Sequence, residues 1–402
     1  MKNYEVREDF DSQLLYFTSS SCLADNSGLV FMGEMDGNSN IYWKDFSKGK
    51  ITQLTYNTEG TLRSYVYFNG KVNKGFGKAS VCLDNTRKLV YYIQGLDVYQ
   101  VDLLGNLRQI VKLPDNQVTA FMDVSNDGKY LCIPTTDNRA LETRHVDGPA
   151  TILNMPGDTY IDNRIHEENL NSYLNVYAIN SGKQILCEKV PLCWITHVQF
   201  HPKDSSQILY NHEWCSDCGV RRMWLWDGKH HKALRTIDEG RNINDWVCHE
   251  IWSYNGEYVI YHGRHYKNNL YFVGRINMES GEIQEIELPK EYTKYGHFSI
   301  SSQGRLVSDG YYQTKDEMEN TQYVGATWIS VWDVDWDSGR FKCTPLVQHN
   351  TCWGDQDTHP HPIFSEDGKL IFYNTTHNGK REIRCCHVPP ITKIRFVENN
   401  SI

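Results

Sequence analysis

The stretch HPIFSEDGKLIFYNTTHNGKREIRCCHV, from His361 to Val388, decides the fold because its pattern recurs along the chain. It reads as an apolar strand, a polar turn with glycine, a second strand rich in aliphatic and aromatic residues, and a third strand after another turn. The same opening is found in HVQFHP from His197, HEIWSYNG from His249 and HFSISSQG from His297. A residue held at one phase of a repeat occupies one place in each structural unit. We therefore expect the four histidines to occupy equivalent places in the fold.

Seven units of this kind can be traced, from LADNSGLVFMGEMDGNSNIYWKDFSKGKITQLT near the N-terminus to the stretch that begins at His361. Each unit has room for four short strands within roughly 40–60 residues, which suits a β-propeller blade. The repetition predicts an all-β fold: a seven-bladed β-propeller forming one domain over residues 1–402, with the first strand of each blade lining a central channel. Insertions at 136–172 and 313–326 are expected to shape a binding face. The sequence leaves two ways to close the ring, because either DSQLLYFTSS (11–20) or ITKIRFVEN (391–399) could complete a terminal blade.

Composition narrows the function classes. The chain has a formal net charge of −9 and 40% hydrophobic residues. A negative chain is a poor nucleic-acid binder, and an anionic substrate would need a local cationic site. No apolar run approaches the length of a membrane span, and the N-terminus lacks a secretory signal. The 12 cysteines are scattered, often within strand-like segments, which favours reduced thiols and a cytoplasmic location.

The strongest candidate site is a metal centre at the channel mouth. His359 and His361 lie two residues apart on an extended segment, so their side chains face the same way. Gln356 would reach the site from the preceding loop, and His297 from the neighbouring blade. Three neutral imidazoles and an amide oxygen would hold a divalent ion and leave positions for an anionic ligand. The alternative is a set of channel residues joined by hydrogen bonds and water, which is how we interpret isolated histidines such as His262.

Four further residues are candidates for catalysis or substrate binding. His249 occupies the channel phase one blade before His297, and a neutral imidazole near a metal suits a general base; the alternative is a structural histidine. Arg222 begins the aromatic strand of the fourth unit, where it could bind a carboxylate in a bidentate manner or form a solvated surface pair. His212 and His197 are candidates for substrate contacts, although nothing in the sequence assigns a particular role to His197.

A metal with open positions, a base and an arginine fit a substrate that carries a carboxylate. In a uronic acid sugar, coordination of the C6 carboxylate would make the C5 proton more acidic. A base could then remove this proton and expel the glycosidic oxygen at C4, a β-elimination that consumes no water. No Gly-x-Ser-x-Gly elbow, phosphate loop or dinucleotide fingerprint supports the common hydrolase, kinase or dehydrogenase classes.

The run HVQFHP…NHEW…RRMWLW…HEIWS…GHFS…QDTHPHPIFSEDGKLIFY resembles the oligogalacturonate lyases, most clearly from about residue 190 to 380. The resemblance implies a seven-bladed propeller that acts on short pectic oligouronides, such as di- or trigalacturonate, inside bacterial cells. It also implies His249 as the base and Arg222 as its partner at the substrate carboxylate. The implied ligands of a manganese ion, Mn²⁺, are His297, Gln356, His359 and His361. Where this family has a His-Glu-Gly-Pro-Trp run, the chain has HEWCSDC from His212, so a different oligouronide stays open as the substrate.

Two other classes of function remain open at the level of sequence. A non-catalytic propeller could serve as a protein-binding platform, as many repeat proteins do. A hydrolase or an epimerase could use the same metal with another outcome. A histidine and glutamine cluster at the channel mouth favours an enzyme, because an interaction scaffold needs no metal ligands there.

Overall fold

The computed structural model describes most of the chain. The described residues are 4–59, 80–141, 165, 167–213, 221–235, 245–265, 267–289, 292, 296–310, 312–319, 327–351 and 358–391. Within these ranges the strands form seven antiparallel sheets whose innermost strands contact one another in sequence order. The predicted all-β, seven-bladed β-propeller is therefore confirmed.

The first two blades are regular four-stranded meanders. Their strands are β1 (Asp11–Leu14), β2 (Gly28–Met35), β3 (Asn38–Asp45), β4 (Ile51–Gln53), β5 (Val81–Asp84), β6 (Leu89–Gln94), β7 (Asp97–Asp102) and β8 (Leu107–Lys112). The third blade has an extra short strand, β9, which pairs with β11, the second strand in the order of that blade. Its strands are β9 (Gln117–Thr119), β10 (Asp123–Val124), β11 (Tyr130–Asp137), β12 (Asn171–Ala178) and β13 (Gln184–Pro191).

The remaining four blades each begin at or near one of the repeated histidines. The strands of blades four and five are β14 (Val198–His201), β15 (Asp204–Asn211), β16 (Met223–Trp226), β17 (His231–Ala233), β18 (Asp245–Trp252), β19 (Tyr258–His265), β20 (Leu270–Asn277) and β21 (Ile283–Glu287). Those of blades six and seven are β22 (Phe298–Ile300), β23 (Leu306–Ser308), β24 (Trp328–Asp335), β25 (Arg340–Gln348), β26 (Ile363–Phe364), β27 (Leu370–Thr375) and β28 (Glu382–His387).

Burial follows the position of a strand within its blade. The inner and middle strands are buried on both faces because each blade packs against two neighbours, and all six residues of β27 are buried. The outermost strands β8 and β13 consist almost entirely of exposed and partly buried residues. The apolar core therefore lies between the blades, and it holds the inner strand ends in fixed positions around the channel.

The N-terminal segment closes the ring. Val6 forms a two-way backbone bridge with Ile383 on the outer edge of β28, with N···O distances of 2.9 and 3.2 Å. The segment DSQL forms β1, the innermost strand of the first blade. Val6 thus occupies the fourth strand position of the last blade, while most of the C-terminal alternative lies outside the described residues.

Short helices occur where insertions were predicted. A 3₁₀ helix spans Asn138–Leu141 and an α-helix spans Lys315–Glu319, whereas residues 142–164, 166 and 320–326 of these insertions lie outside the described ranges. Among the helices of the described residues, none combines the length and apolar character needed to cross a membrane.

Candidate active site

The repeated histidines meet in the channel. His197, His297 and His361 lie just before the inner strands of their blades, and His249 lies within β18; all four are buried. The ring of His297 lies 4.4 Å from that of His249 and 4.3 Å from that of His361, measured between ring centroids. The common phase of the repeat thus corresponds to a common place in space.

Three of the predicted ligands form a compact donor cluster. One nitrogen from each of His297, His359 and His361 lies within 4.8 Å of the other two, and all three residues are buried. Three neutral imidazoles suit a divalent transition-metal ion. Gln356, the predicted fourth ligand, lies outside the described residues.

Asp309 holds two of these histidines. Its Oδ1 accepts the backbone N–H of His297 at 2.6 Å, and its Oδ2 accepts the Nδ1–H of His297 and the backbone N–H of His361, both at 3.0 Å. Burial alone would raise the pKa of this carboxyl, but His297 and its N–H groups hold the pKa of Asp309 below its ordinary value. Because Nδ1 of His297 carries the hydrogen, Nε2 carries the lone pair that a metal needs.

His249 is aimed into the channel by a β-bulge. Cys248 pairs with His262 and Ile251 pairs with Ile260, so His249 and Glu250 together oppose a single residue of β19. His249 has φ +54°, a left-handed conformation that costs a non-glycine residue roughly 1–2 kcal/mol. Bulges re-aim side chains and are frequent beside active sites. The metal-cluster residue His361 is also left-handed, with φ +43°.

The imidazole of His249 is neutral. Burial, and then the neighbouring His297 and His262, lower its pKa well below the ordinary value. Its Nδ1 lies 2.7 Å from Nε2 of His262, which is fully buried. His249 therefore lies beside the histidine cluster in surroundings that favour its neutral form, and its role as the base stays a prediction.

Arg222 is a buried ion-pair partner and not a solvated surface residue. It directly precedes β16, its Nε–H donates to Glu250 at 2.8 Å, and its Nη1 lies 3.3 Å from Glu213. Burial alone would raise the pKa of Glu213, but Arg222 and then His197 lower it to about 2. Burial raises the pKa of Glu250. The N–H of His212 donates to the Arg222 carbonyl at 2.7 Å, so His212 lies beside this group.

His197 is the inner end of a hydrogen-bonded chain. Thr196 donates its hydroxyl to Glu213 at 2.6 Å, so the Nδ1–H of His197 donates to Thr196 at 2.7 Å. Nε2 of His197 then accepts the hydroxyl of Tyr16 at 3.1 Å. Burial lowers the pKa of His197 to about 3. These hydrogen bonds join His197 to Glu213, the carboxylate beside Arg222. A substrate contact through His197 stays a prediction.

Tyr16 and Phe17 enter the channel from a break in the innermost strand of the first blade. The strand β1 ends at Leu14, and pairing with β2 resumes only at the bridge between Cys22 and Leu29. The ring of Phe17 lies 5.7–5.9 Å from those of His249, His297 and His361. Tyr16 stacks on Phe121 at 3.9 Å. The two aromatic rings therefore form an apolar layer against the histidine cluster.

A cavity of about 500 Å³ lies at the turns that follow the inner strands. Thr18, Ser19 and Ser20, the continuation of the same segment, contribute to its lining together with Asp123 and Trp252. Since these turns lie at the opposite strand ends from His197 and His361, the aromatic layer separates this cavity from the histidines.

Sequence reasoning missed several residues of the site, and two signals could have revealed some of them. Asp309 directly follows β23, the second strand of its unit, and other units carry a polar residue at the same position of the repeat. Glu213 and Glu250 each follow a histidine in a repeated His-Glu pair, and both bind Arg222. No comparable signal marks Tyr16, because LLYF reads as an ordinary apolar strand.

Comparison with known proteins agrees with this geometry. A family model described as oligogalacturonate lyase matches residues 175–391, more than half of the chain. An oligogalacturonide lyase of Pectobacterium atrosepticum is 24% identical over 385 residues, and an oligogalacturonate lyase of Dickeya dadantii is 26% identical over 391 residues; each alignment covers 93% of this chain and 89% of the relative.

Two solved structures share the fold. An oligogalacturonate lyase in complex with manganese has a TM-score of 0.73 at 19% identity, with 95% of this chain and 91% of the other covered. An oligogalacturonate lyase from Vibrio parahaemolyticus has a TM-score of 0.74 at 20% identity, with 95% and 92% covered. On the match of the family model, the chain belongs to the oligogalacturonate lyase family.

Proposed function

We propose that this protein is a metal-dependent lyase that cleaves short oligouronides, most simply oligogalacturonate, by β-elimination. Membership of the family supports the reaction class, and both curated relatives carry the corresponding name. The observation that carries the proposal is the meeting of three elements in one buried channel. These are the three-histidine cluster, the neutral His249 beside it and the buried guanidinium of Arg222.

His297, His359 and His361 would hold the metal, with Gln356 as the predicted fourth ligand. The donor set fits a divalent ion, and manganese is favoured because a structural neighbour was solved in complex with it. When bound there, such an ion would neutralise the C6 carboxylate of the substrate and make the C5 proton more acidic. Asp309 fixes the tautomer of His297 so that its Nε2 faces the cluster as an acceptor.

His249 would act as the base. With its Nδ1–H donating to Nε2 of His262, 2.7 Å away, His249 would take the proton from C5 on its own Nε2. The electron pair of the C5–H bond becomes the C4=C5 double bond. The bond between C4 and the glycosidic oxygen breaks with its electron pair on oxygen, which takes up a proton. No water is consumed, and the product is an unsaturated uronide together with a shortened sugar.

Arg222 would bind the substrate carboxylate and stabilise the negative charge that develops as the C5 proton leaves. Glu213 and Glu250 hold its guanidinium in place from two sides. A buried arginine in such a pair is oriented before the substrate arrives, which limits the cost of reorganisation. His212 beside it would contact the sugar. A non-catalytic scaffold would require none of these groups.

We also propose a cytoplasmic location. The nine cysteines of the described ranges are free thiols, five of them buried. Free thiols are typical of proteins in a reducing compartment. Fractionation of the native host with an antibody against this protein would test the location, and recovery from an extracytoplasmic fraction would contradict it.

The reaction is tested with purified protein, digalacturonate and trigalacturonate. The metal is first removed with a chelator and manganese is then added back. Ultraviolet absorbance follows the unsaturated product, and mass spectrometry of all products distinguishes elimination from hydrolysis, which adds one water. Absence of turnover on a panel of uronides, together with absence of bound metal, would refute the proposal. Turnover with another uronide alone would correct the substrate but keep the reaction.

A further inference from the structure

We propose that His262 is a positioning residue that fixes the tautomer and orientation of His249 for proton abstraction. The inference rests on the proposed function, since it concerns the residue proposed as the base. It changes the interpretation of His262 from an isolated structural histidine to a functional partner.

His262 occupies a second repeated phase of the propeller. The second strands of the four histidine-bearing blades carry the matching motifs ILYN, VIYH, LVSD and IFYN, of which the last residue of LVSD directly follows its strand. The final residue of each motif lies at the end of the inner-strand pairing that is near the channel histidine, and in blade five it pairs with Cys248, the residue before His249. These residues are Asn211, His262, Asp309 and Asn374.

In three blades this residue binds the backbone at the start of the inner strand. Asn211 accepts the N–H of His197 at 2.8 Å, and Asp309 accepts the N–H of His297 at 2.6 Å. The side-chain amide of Asn374 donates to the carbonyl of His359 at 3.1 Å. Residues at this position of the repeat therefore hold the beginning of an inner strand, where the channel histidines lie.

Blade five departs from this arrangement because of its bulge. The extra residue and the left-handed backbone turn His249, so that the residue across the blade meets its ring. Nε2 of His262 lies 2.7 Å from Nδ1 of His249, and the two ring centroids are 4.9 Å apart. His262 thus orients the side chain of the base through a ring-to-ring bond, as Asp309 orients the ring of His297 in blade six.

The hydrogen bond determines which nitrogen of His249 can receive a proton. A neutral imidazole has one N–H and one lone pair. When Nδ1–H of His249 donates to Nε2 of His262, the lone pair of His249 is on Nε2. The same bond persists after the proton is taken up, so His262 also stabilises the resulting imidazolium. In a buried site, a wrong tautomer of the base leaves the geometry intact and still stops the reaction.

The surroundings of His262 keep it in this position. It is fully buried, and its ring makes edge contacts with Trp246 and Phe298 at centroid distances of 5.5 and 5.4 Å. Apolar rings on both sides restrict rotation, so the 2.7 Å bond does not need to compete with water.

The test uses two substitutions of His262 in the metal-loaded enzyme. His262→Leu removes the acceptor, and His262→Gln offers an amide oxygen where Nε2 lies. The Leu variant should lose kcat by roughly 10–100-fold with little change in KM, which is the usual effect of losing an orienting partner. The Gln variant should recover most of kcat. Metal content by elemental analysis should stay at the wild-type level in both.

Two further readouts separate positioning from general structural support. With substrate deuterated at C5, the isotope effect on kcat should increase in His262→Leu, because proton removal has become slower. In a His249→Ala background, His262→Leu should cause no further loss of activity, since the two residues act as a unit. His201→Gln is the matched control: His201 binds the Gly256 carbonyl at the other end of the channel strand β14.

The outcomes are distinct. Wild-type kcat in both His262 variants would overturn the inference while leaving the proposed function intact. Equal losses in Leu and Gln variants, accompanied by loss of metal or of thermal stability, would also overturn it, because His262 would then only support the fold. A wild-type enzyme that turns over no uronide would refute the proposed function itself.

Discussion

Replacing Asp309 by asparagine should weaken metal binding although Asp309 is not itself a proposed ligand. Its carboxylate accepts three hydrogen bonds, from the backbone and ring of His297 and from the backbone of His361. Asparagine has only one acceptor oxygen. If this oxygen keeps the short bond to the His297 backbone, the amide group faces the Nδ1–H of His297 and the N–H of His361, which are both donors.

A change of the His297 tautomer would relieve the conflict at its ring. Moving the hydrogen from Nδ1 to Nε2 lets the ring accept a bond from the amide, but it places a proton on the nitrogen that faces His359 and His361. The metal must then compete with that proton. Loss of such an orienting partner typically lowers metal affinity by about 10–100-fold, or about 1.4–2.7 kcal/mol.

Isothermal titration of metal-free protein with Mn²⁺ measures this effect directly. The control is Asp333→Asn, the same substitution on β24 of the same blade, where Asp333 binds Arg305. The control should keep its manganese affinity even if it unfolds at a lower temperature. If Asp309→Asn binds manganese as tightly as the wild type, the tautomer argument is wrong.

Three other predictions follow from the site. His359→Ala should lose metal and activity together, whereas His249→Ala should keep its metal and lose about 10²–10⁴-fold in kcat; elemental analysis and the ultraviolet assay check both, and a fully active His249 variant would exclude it as the base. Arg222→Lys should lower kcat/KM by about 10–100-fold, because lysine cannot reproduce the forked hydrogen bonds to carboxylates; an unchanged kcat/KM would contradict this. Glu213 has a pKa lowered to about 2, below its unfolded value, so it adds stability above about pH 4.5 that is lost as pH falls toward 2. Urea unfolding at several pH values should therefore show a weaker acid dependence in Glu213→Gln, and an identical dependence would refute the assignment.

The fold could be predicted because each blade repeats the same alternation of short strands and glycine turns. The meeting of the four repeated histidines in the channel also followed from the repeat, since equivalent residues in a ring must face the same axis. Ring closure could not be predicted, because Val6 is a single residue without a strand pattern and pairs with Ile383 at the far end of the chain. The extent of a single domain over residues 1–402 stays a prediction.

The site was only partly accessible from sequence. His359 and His361 stand out because they are close together, whereas His262 and Asp309 become informative only when strand register shows what lies opposite them. The bulge at His249 depends on one extra residue in β18, which no local composition marks. Tyr16 reads as part of an apolar strand, although its hydroxyl binds His197 in the channel.

The aromatic layer of Tyr16 and Phe17 has a consequence for substrate entry and product release. Because it lies between the histidines and the cavity at the opposite strand ends, we expect this layer to block passage through the described part of the ring. Substrate should enter and products should leave by the same mouth. The next oligouronide must then wait for the departing one, so the unsaturated product should behave as a competitive inhibitor and its release should limit the rate with the tightest-binding substrates.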